Sequence, residues 1–251
     1  MKTPCAVLFL LLAVLVCGCA TGHRGGVRPE LAVPLAAAAP VIDGDTSDAV
    51  WASAARIDGL RPAIGESSAA IPATSVRVLW DATLLYVAFD CADDEVYSSG
   101  TLRHDDNLYT EDVVEVFLDG KGDGRQFVEI QVSPSGENLD LMYVYTADTL
   151  PPAPDGVSWL REWEMAGLLT AARRTGTGWS AELAIPVEPL VHRLGLRELS
   201  PGIALRAQFV RYDHVPAADG SGRNILQQTW SPVIQGNPHN TPAAMGTLFL
   251  R

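Results

Sequence analysis

Residues 111–133 read EDVVEVFLDGKGDGRQFVEIQVS, and this stretch decides the fold. Val113, Glu115 and Phe117 alternate with Val114, Val116 and Leu118, and successive side chains of a strand point to opposite faces. After Asp119-Gly120-Lys121-Gly122-Asp123-Gly124, a second run sets Phe127, Glu129, Gln131 and Ser133 against Val128, Ile130 and Val132. Two such runs joined by an acidic, Gly-containing turn predict a strand pair, Val113–Asp119 with Gln126–Ser133, and a solvent-exposed turn. One face is aliphatic. The other gathers Glu115, Glu129, Gln131 and Ser133. A solvated strand face is the ordinary role of such residues, and a ring of groups for binding hydroxyls is the functional alternative.

The same patterning extends in both directions. Val76, Val78 and Trp80 alternate with Arg77 and Asp81, and the run Leu84–Phe89 (LLYVAF) follows after a tight connection, which predicts a hairpin. Further predicted strands are Leu139–Tyr145, Leu168–Arg173, Trp179–Ile185, Ala204–Tyr212 and Thr247–Leu250. Helical signals are confined to Asp48–Ala55, with Asp48 as N-cap, and to Val187–Leu194 after Pro186. Many strands with almost no helix between them predict an all-β, antiparallel β-sandwich of jelly-roll or immunoglobulin-like type, with one or two short helices. The 22 glycines and 17 prolines suit its turns. Hydrophobic residues at 47% and charged residues at 19% describe a globular chain rather than a disordered one. The 30 acidic residues outnumber 18 basic ones for a net charge of −12, which argues against nucleic acid as a partner, since phosphate affinity needs clustered Lys and Arg.

The N-terminus reads as an address. Lys2 precedes the apolar run Ala6–Val16, which ends at Cys17-Gly18-Cys19. That run is shorter than the about 20 residues of a membrane-spanning helix and matches a secretory signal. Val16-Cys17-Gly18-Cys19 resembles a bacterial lipobox, which implies cleavage before Cys19 and lipid attachment to it; ordinary cleavage near Ala20 is the alternative. The expected organisation is a lipoprotein signal over residues 1–18, a lipidated Ala-, Gly- and Pro-rich tether over 19–39, and one domain over 40–251. Such a chain is exported and faces the periplasm or the outer membrane, held to the membrane through Cys19 alone. Cys91 is then the one cysteine left in the domain, with no disulfide to form, and its strand-like surroundings suit a small buried side chain.

A family resemblance runs through the domain. Val41-Ile42-Asp43-Gly44 with Asp48-Ala49-Val50-Trp51 resembles the opening of family 9 carbohydrate-binding modules, and Val78-Leu79-Trp80-Asp81 and Leu84-Leu85-Tyr86-Val87-Ala88 continue the pattern. Glu111 to Asp119 is its most distinctive block, followed by Val132 to Gly136, Gly178-Trp179 with Glu182, Ile185-Pro186, Arg211, Trp230-Ser231 and Gly246. The resemblance implies a β-sandwich that grips sugars between aromatic faces, with separate glycoside hydrolases as companions. By motif, the two stacking aromatics fall on Tyr109 and Trp230, the first commonly Trp in the family. Glu115 matches a hydroxyl-binding glutamate, and Gln131 falls where a basic or amide residue stands. The resemblance also implies structural calcium, for which the Gly-containing turns with Asp43 and Asp45, and with Asp119 and Asp123, are candidates.

Independent reading supports the same chemistry. A sugar offers C–H faces to aromatic rings and a rim of hydroxyls to planar acceptors and donors. Tyr109 and Trp230 have polar or turn-like neighbours; a core Trp is the alternative for Trp230. Arg211 is equally a sugar ligand or one half of an ion pair with Asp213. Trp51, Trp80 and Trp179 read as core, and Trp159 and Trp163 as packing beneath or lining a loop. Catalysis is disfavoured: no carboxylate pair stands out for glycoside hydrolysis, and no nucleophile elbow, His-Glu-x-x-His helix or phosphate loop is present. Two other readings remain open. A haem sandwich would draw two axial ligands from Met142, Met165, Met245, His104, His192, His214 and His239, and a structural or partner-binding envelope lipoprotein would leave no motif.

Overall fold

A computed structural model of the chain describes residues 28–63, 71–145, 157–188, 198–231, 233 and 241–251. The quoted stretch folds as read: β6 (Val113–Asp119) pairs antiparallel with β7 (Gln126–Val132), in a register that sets Glu115 opposite Gln131. At the turn, Asp119 accepts the Gly122 and Gly124 N–H groups at 2.7 Å each, so its two oxygens anchor the loop backbone. Gly122 and Gly124 have φ of 69° and 68°, a left-handed conformation that glycine adopts without steric cost.

These strands sit in the middle of the first sheet. Its order is β1 (Glu30–Val33), β14 (Gly246–Leu250), β12 (Ala204–Pro216), β6, β7, β8 (Asn138–Tyr145) and β9 (Val157–Leu160). β13 (Arg223–Thr229) also pairs with β12, and β3 (Arg61–Pro62) with β13. The second sheet runs β10 (Leu169–Thr175), β11 (Gly178–Pro186), β5 (Leu84–Ala92), β4 (Thr74–Trp80) and β2 (Ala55–Ile57). All pairings are antiparallel except β1 with β14. The result is the expected β-sandwich.

Between the sheets lies the main core, where Val114, Val116, Val128 and Ile130 meet Val76, Val87, Phe89 and Leu183. Each such buried side chain contributes about 1.5–3 kcal/mol relative to exposure. The unbroken run LLYVAF does not alternate because β5 is buried on both faces. Val87 and Phe89 join the main core, while Tyr86 and Ala88 pack with Trp51, Leu79 and Ala184 outside the second sheet. Trp51 belongs to a short 3-10 turn, Ala49–Ser53, where helical signals were expected. Its indole N–H donates to Glu182 at 2.7 Å, and the same carboxylate accepts the Asp43 and Gly44 N–H groups. Gly44 is required there: at φ 84°, an added Cβ would lie 2.7 Å from the Ala172 carbonyl carbon.

Two expectations need correction. The tether does not extend through residue 39, because Glu30–Val33 forms β1, and Trp80 Nε1 donates to the Val33 carbonyl at 3.0 Å. This short segment thus reaches both sheets, a long-range pairing that an Ala- and Pro-rich composition conceals. The strands β2, β3, β9 and β13 also went unpredicted; they are short or lack apolar alternation. Most of the helix expected over Val187–Leu194 lies outside the described residues, as do the signal segment and Cys19. No helix among the described residues is long and apolar enough to cross a membrane.

Candidate functional site

On the outer face of the first sheet, Glu115 and Gln131 are cross-strand partners, and Glu129 stands two residues along β7 from Gln131. The Gln131 amide nitrogen donates to Glu115 at 3.0 Å and to Glu129 at 2.5 Å. All three side chains are buried, so this is not the solvated strand face that alternation alone suggests. Around them lies a second apolar cluster built from Phe117, Phe127, Tyr143, Tyr145, Val210 and Tyr212. Phe127, Tyr143 and Tyr145 stack nearly parallel, at ring-centroid separations of 4.9 to 6.4 Å.

The electrostatics of this face follow from burial. Desolvation, then the charge of Glu129 and a hydrogen bond to it, hold the Tyr143 hydroxyl far above its ordinary pKa. Tyr145 is pushed up to about 12 by burial, with Glu129 adding. Burial and the charges of Glu115 and Glu129 raise Tyr212 likewise, and Gln227 donates to its hydroxyl at 2.8 Å. The tyrosines therefore remain protonated hydrogen-bond donors beside two carboxylates. The Gln131 amide oxygen is buried with no hydrogen-bond partner, a costly state for a polar atom. An aromatic-lined wall with a few convergent polar groups is the usual composition of a small-ligand site.

Tyr109 borders the same face. It lies in the 3-10 turn Leu108–Thr110, whose Leu108 packs into the aromatic cluster, and the residue is 45% exposed. His214 Nε2 approaches the Tyr109 carbonyl at 3.0 Å, and Asp112 accepts the His214 and Tyr97 N–H groups. These bonds tie the turn to β12. Trp159 on β9 is opposite Tyr143 in register, contacts its ring edge-on at 6.3 Å, and is 69% exposed.

The structure therefore brings Tyr109, Glu115 and Gln131 to one face and places Arg211 and Trp230 elsewhere. Arg211 shares the inward face of β12 with Ala207 and Phe209. It is fully buried and donates to the Ala92 carbonyl at 2.7 Å, to Thr74 Oγ1 at 3.2 Å and to Asp93 at 2.9 Å, with Asp213 at 3.4 Å. Of the two roles open to it, this geometry is the structural ion pair, a tie between the sheets. Trp230 packs on Phe209, with ring centroids 5.5 Å apart, against the main core. Residues that sequence reasoning left without a role, Tyr143, Tyr145 and Tyr212, line the site. The alternation of Leu139, Leu141, Tyr143 and Tyr145 was the available signal.

The acidic turns have other occupations. Asp43 accepts the Asp45 N–H, Asp45 accepts the Ser47 N–H and pairs with Arg173 at 2.6 Å, and Asp123 accepts the Arg125 N–H. No group of three or more ligating side chains forms at either turn among the described residues. The candidate haem ligands have other surroundings. Met142 and Met165 lie in the main core and Met245 in the outer cluster, while His104 and His214 face polar partners. His192 and His239 lie outside the described residues. Cys91 is buried, and burial pushes its thiol up to about 12, which makes it inert.

With this geometry in hand, comparison with known proteins decides the family. The model of the family described as carbohydrate family 9 binding domain-like matches residues 42–251. The chain belongs to that family. Among solved structures, a family 9 carbohydrate-binding module from Caldicellulosiruptor kristjanssonii in complex with cellotriose aligns with a TM-score of 0.63 at 17% identity, over 89% of this chain and 94% of that one. The module from the same organism in complex with glucose aligns at 0.62 and 17% identity, over 89% and 96%. A candidate carbohydrate-binding protein from Bacteroides uniformis aligns at 0.68 and 13% identity, over 88% and 99%. At these identities the likeness establishes the fold of this family 9 domain. No curated protein matches the chain.

Proposed function

We propose that this family 9 domain binds carbohydrate without transforming it, through the outer face of its first sheet. Glu115, Glu129 and Gln131 form a buried network behind this face that sets the tyrosine hydroxyls, which meet the sugar's rim. Tyr109 and Trp159 supply exposed rings for the C–H faces. The observation that carries this reading is the Gln131 amide joining two buried carboxylates inside an aromatic wall. Family membership supports it, as do the cellotriose and glucose complexes of the Caldicellulosiruptor kristjanssonii module.

The cellular setting is part of the same proposal. The lipobox-like Val16-Cys17-Gly18-Cys19 supports an exported lipoprotein anchored through Cys19, which holds oligosaccharide or polysaccharide near separate glycoside hydrolases during carbohydrate breakdown. A glycan array probed with the purified protein, including cello-oligosaccharides and their reducing ends, tests the binding. Selective retention on one class of sugar, lost with Glu115→Ala, is expected. A protein that folds normally and is retained by no glycan refutes the reading.

A further inference from the structure

Away from the candidate sugar face, one cluster joins an imidazole to carboxylates from three parts of the chain. His104 lies in the loop between β5 and β6, Asp140 on β8, and Glu164 between β9 and β10. Their potential ligand atoms all lie within 4.8 Å of one another. His104 Nε2 is 3.1 and 3.3 Å from the two Glu164 oxygens and 3.6 Å from Asp105 Oδ2. Ligand atoms on a tetrahedral zinc with bonds of about 2.0–2.1 Å stand about 3.3 Å apart.

The orientation of the imidazole is the second observation. Its Nδ1 lies 3.0 Å from the Asn138 carbonyl oxygen and 2.9 Å from Asn138 Oδ1. A carbonyl only accepts, so Nδ1 carries the proton. That leaves Nε2 of the neutral ring with a lone pair aimed at carboxylate oxygens, which also offer lone pairs. Such an arrangement calls for a cation at its centre, either a second proton on the ring or a metal ion. A backbone carbonyl holding one nitrogen while the other faces outward is the usual support for a metal-binding histidine.

The carboxylates are similarly prepared. Asp140 is only 2% exposed and its Oδ2 is fixed by the Met165 N–H at 2.5 Å. Asp105 Oδ1 is buried and has no hydrogen-bond partner. The side chains of His104 and Glu164 are 46% and 60% exposed, which leaves the cluster open to solvent.

We propose that His104, Asp140 and Glu164, with Asp105 beside them, form a divalent-cation site of the zinc class. One imidazole nitrogen among carboxylate oxygens suits zinc, nickel or manganese better than calcium, which takes oxygen alone. The ion would clamp the loop leading to Tyr109 onto β8 and the β9–β10 connection. Arg161 already bridges there, donating to the Asp105 carbonyl and to Asn107 Oδ1. The site stands apart from the carbohydrate reading and does not depend on it.

The test is a titration of the metal-free purified protein with zinc against a chromophoric chelator, with bound metal counted by mass spectrometry. Wild type, His104→Ala and Glu164→Gln are compared; both side chains are exposed, so these variants leave the core intact. One equivalent of zinc with a dissociation constant in the micromolar range or below is expected, weakened at least tenfold by His104→Ala. Zinc should also raise the melting temperature of wild type and not of His104→Ala. Absence of stoichiometric zinc, nickel or manganese binding overturns the proposal and leaves a protonated histidine as the cation. Undiminished affinity in His104→Ala, or binding of calcium in preference to zinc, overturns it equally.

Discussion

Gln131 on β7 donates its side-chain amide to Glu115 on β6 at 3.0 Å, between residues directly opposite in register. The same nitrogen donates to Glu129 at 2.5 Å, so one neutral amide holds two carboxylates in an interior where charge is costly. Replacing Gln131 with Ala should lower stability by about 1–3 kcal/mol, the range for leaving buried partners unsatisfied. It should also remove sugar binding. Chemical denaturation and calorimetric titration of one preparation check both outcomes.

The exposed rings should act on affinity and the packed one on stability. Tyr109→Ala and Trp159→Ala each remove a stacking face, for a loss of about 0.5–1.5 kcal/mol, roughly 2- to 12-fold in Kd, with little change in melting temperature. Trp230→Ala instead deletes a ring packed on Phe209 and should lower stability by up to about 3–5 kcal/mol. Paired melting and binding curves for the three variants separate these effects.

Arg211 is a structural tie. Its fully buried guanidinium joins Asp93, Asp213, Thr74 and the Ala92 carbonyl. Arg211→Met leaves two buried carboxylates uncompensated and should cost about 3–5 kcal/mol. Urea unfolding is the measurement.

Asp112 sets a pH dependence of unusual sign. Burial, with Asp93 and Asp213 adding, pushes its carboxyl up to about 7 from 3.8. Between those values the unfolded chain has released this proton and the folded chain has kept it, so stability falls as pH rises through the window. Between pH 5 and pH 8 wild type should lose more stability, or gain less, than Asp112→Asn, in which that proton is absent from both states. Differential scanning calorimetry across the range checks it.

How far the sequence carried depended on whether parity along a strand was visible. Val114 and Val116 against Glu115 and Phe117 fixed the faces of β6, but that Gln131 rather than Glu129 or Ser133 stands opposite Glu115 is visible only in the structure. The same parity held a signal for Arg211 that left its role undecided: it shares a face of β12 with Ala207 and Phe209, while Gln208, Val210 and Tyr212 share the other. Trp230 was not legible. Its ring lies where Gly246 makes room: a Cβ on that glycine would be 2.4 Å from Trp230 Cζ3, a close approach between distant residues that no local pattern encodes. β13, with the sequence RNILQQT, has no apolar period to announce it. Burial of Glu115 and Glu129 was hidden for a related reason, because the tyrosines that enclose them come from β8 and β12.

The central claim is that sugar docks on the outer face around Glu115, Glu129 and Gln131. Isothermal titration of the array-selected oligosaccharide into wild type, Glu115→Ala and Trp159→Ala, each first shown to be folded by circular dichroism, tests it most directly. The account predicts one saturable site in wild type, a severalfold weaker one in Trp159→Ala and no measurable heat of binding in Glu115→Ala. Equal affinity in all three proteins would contradict it.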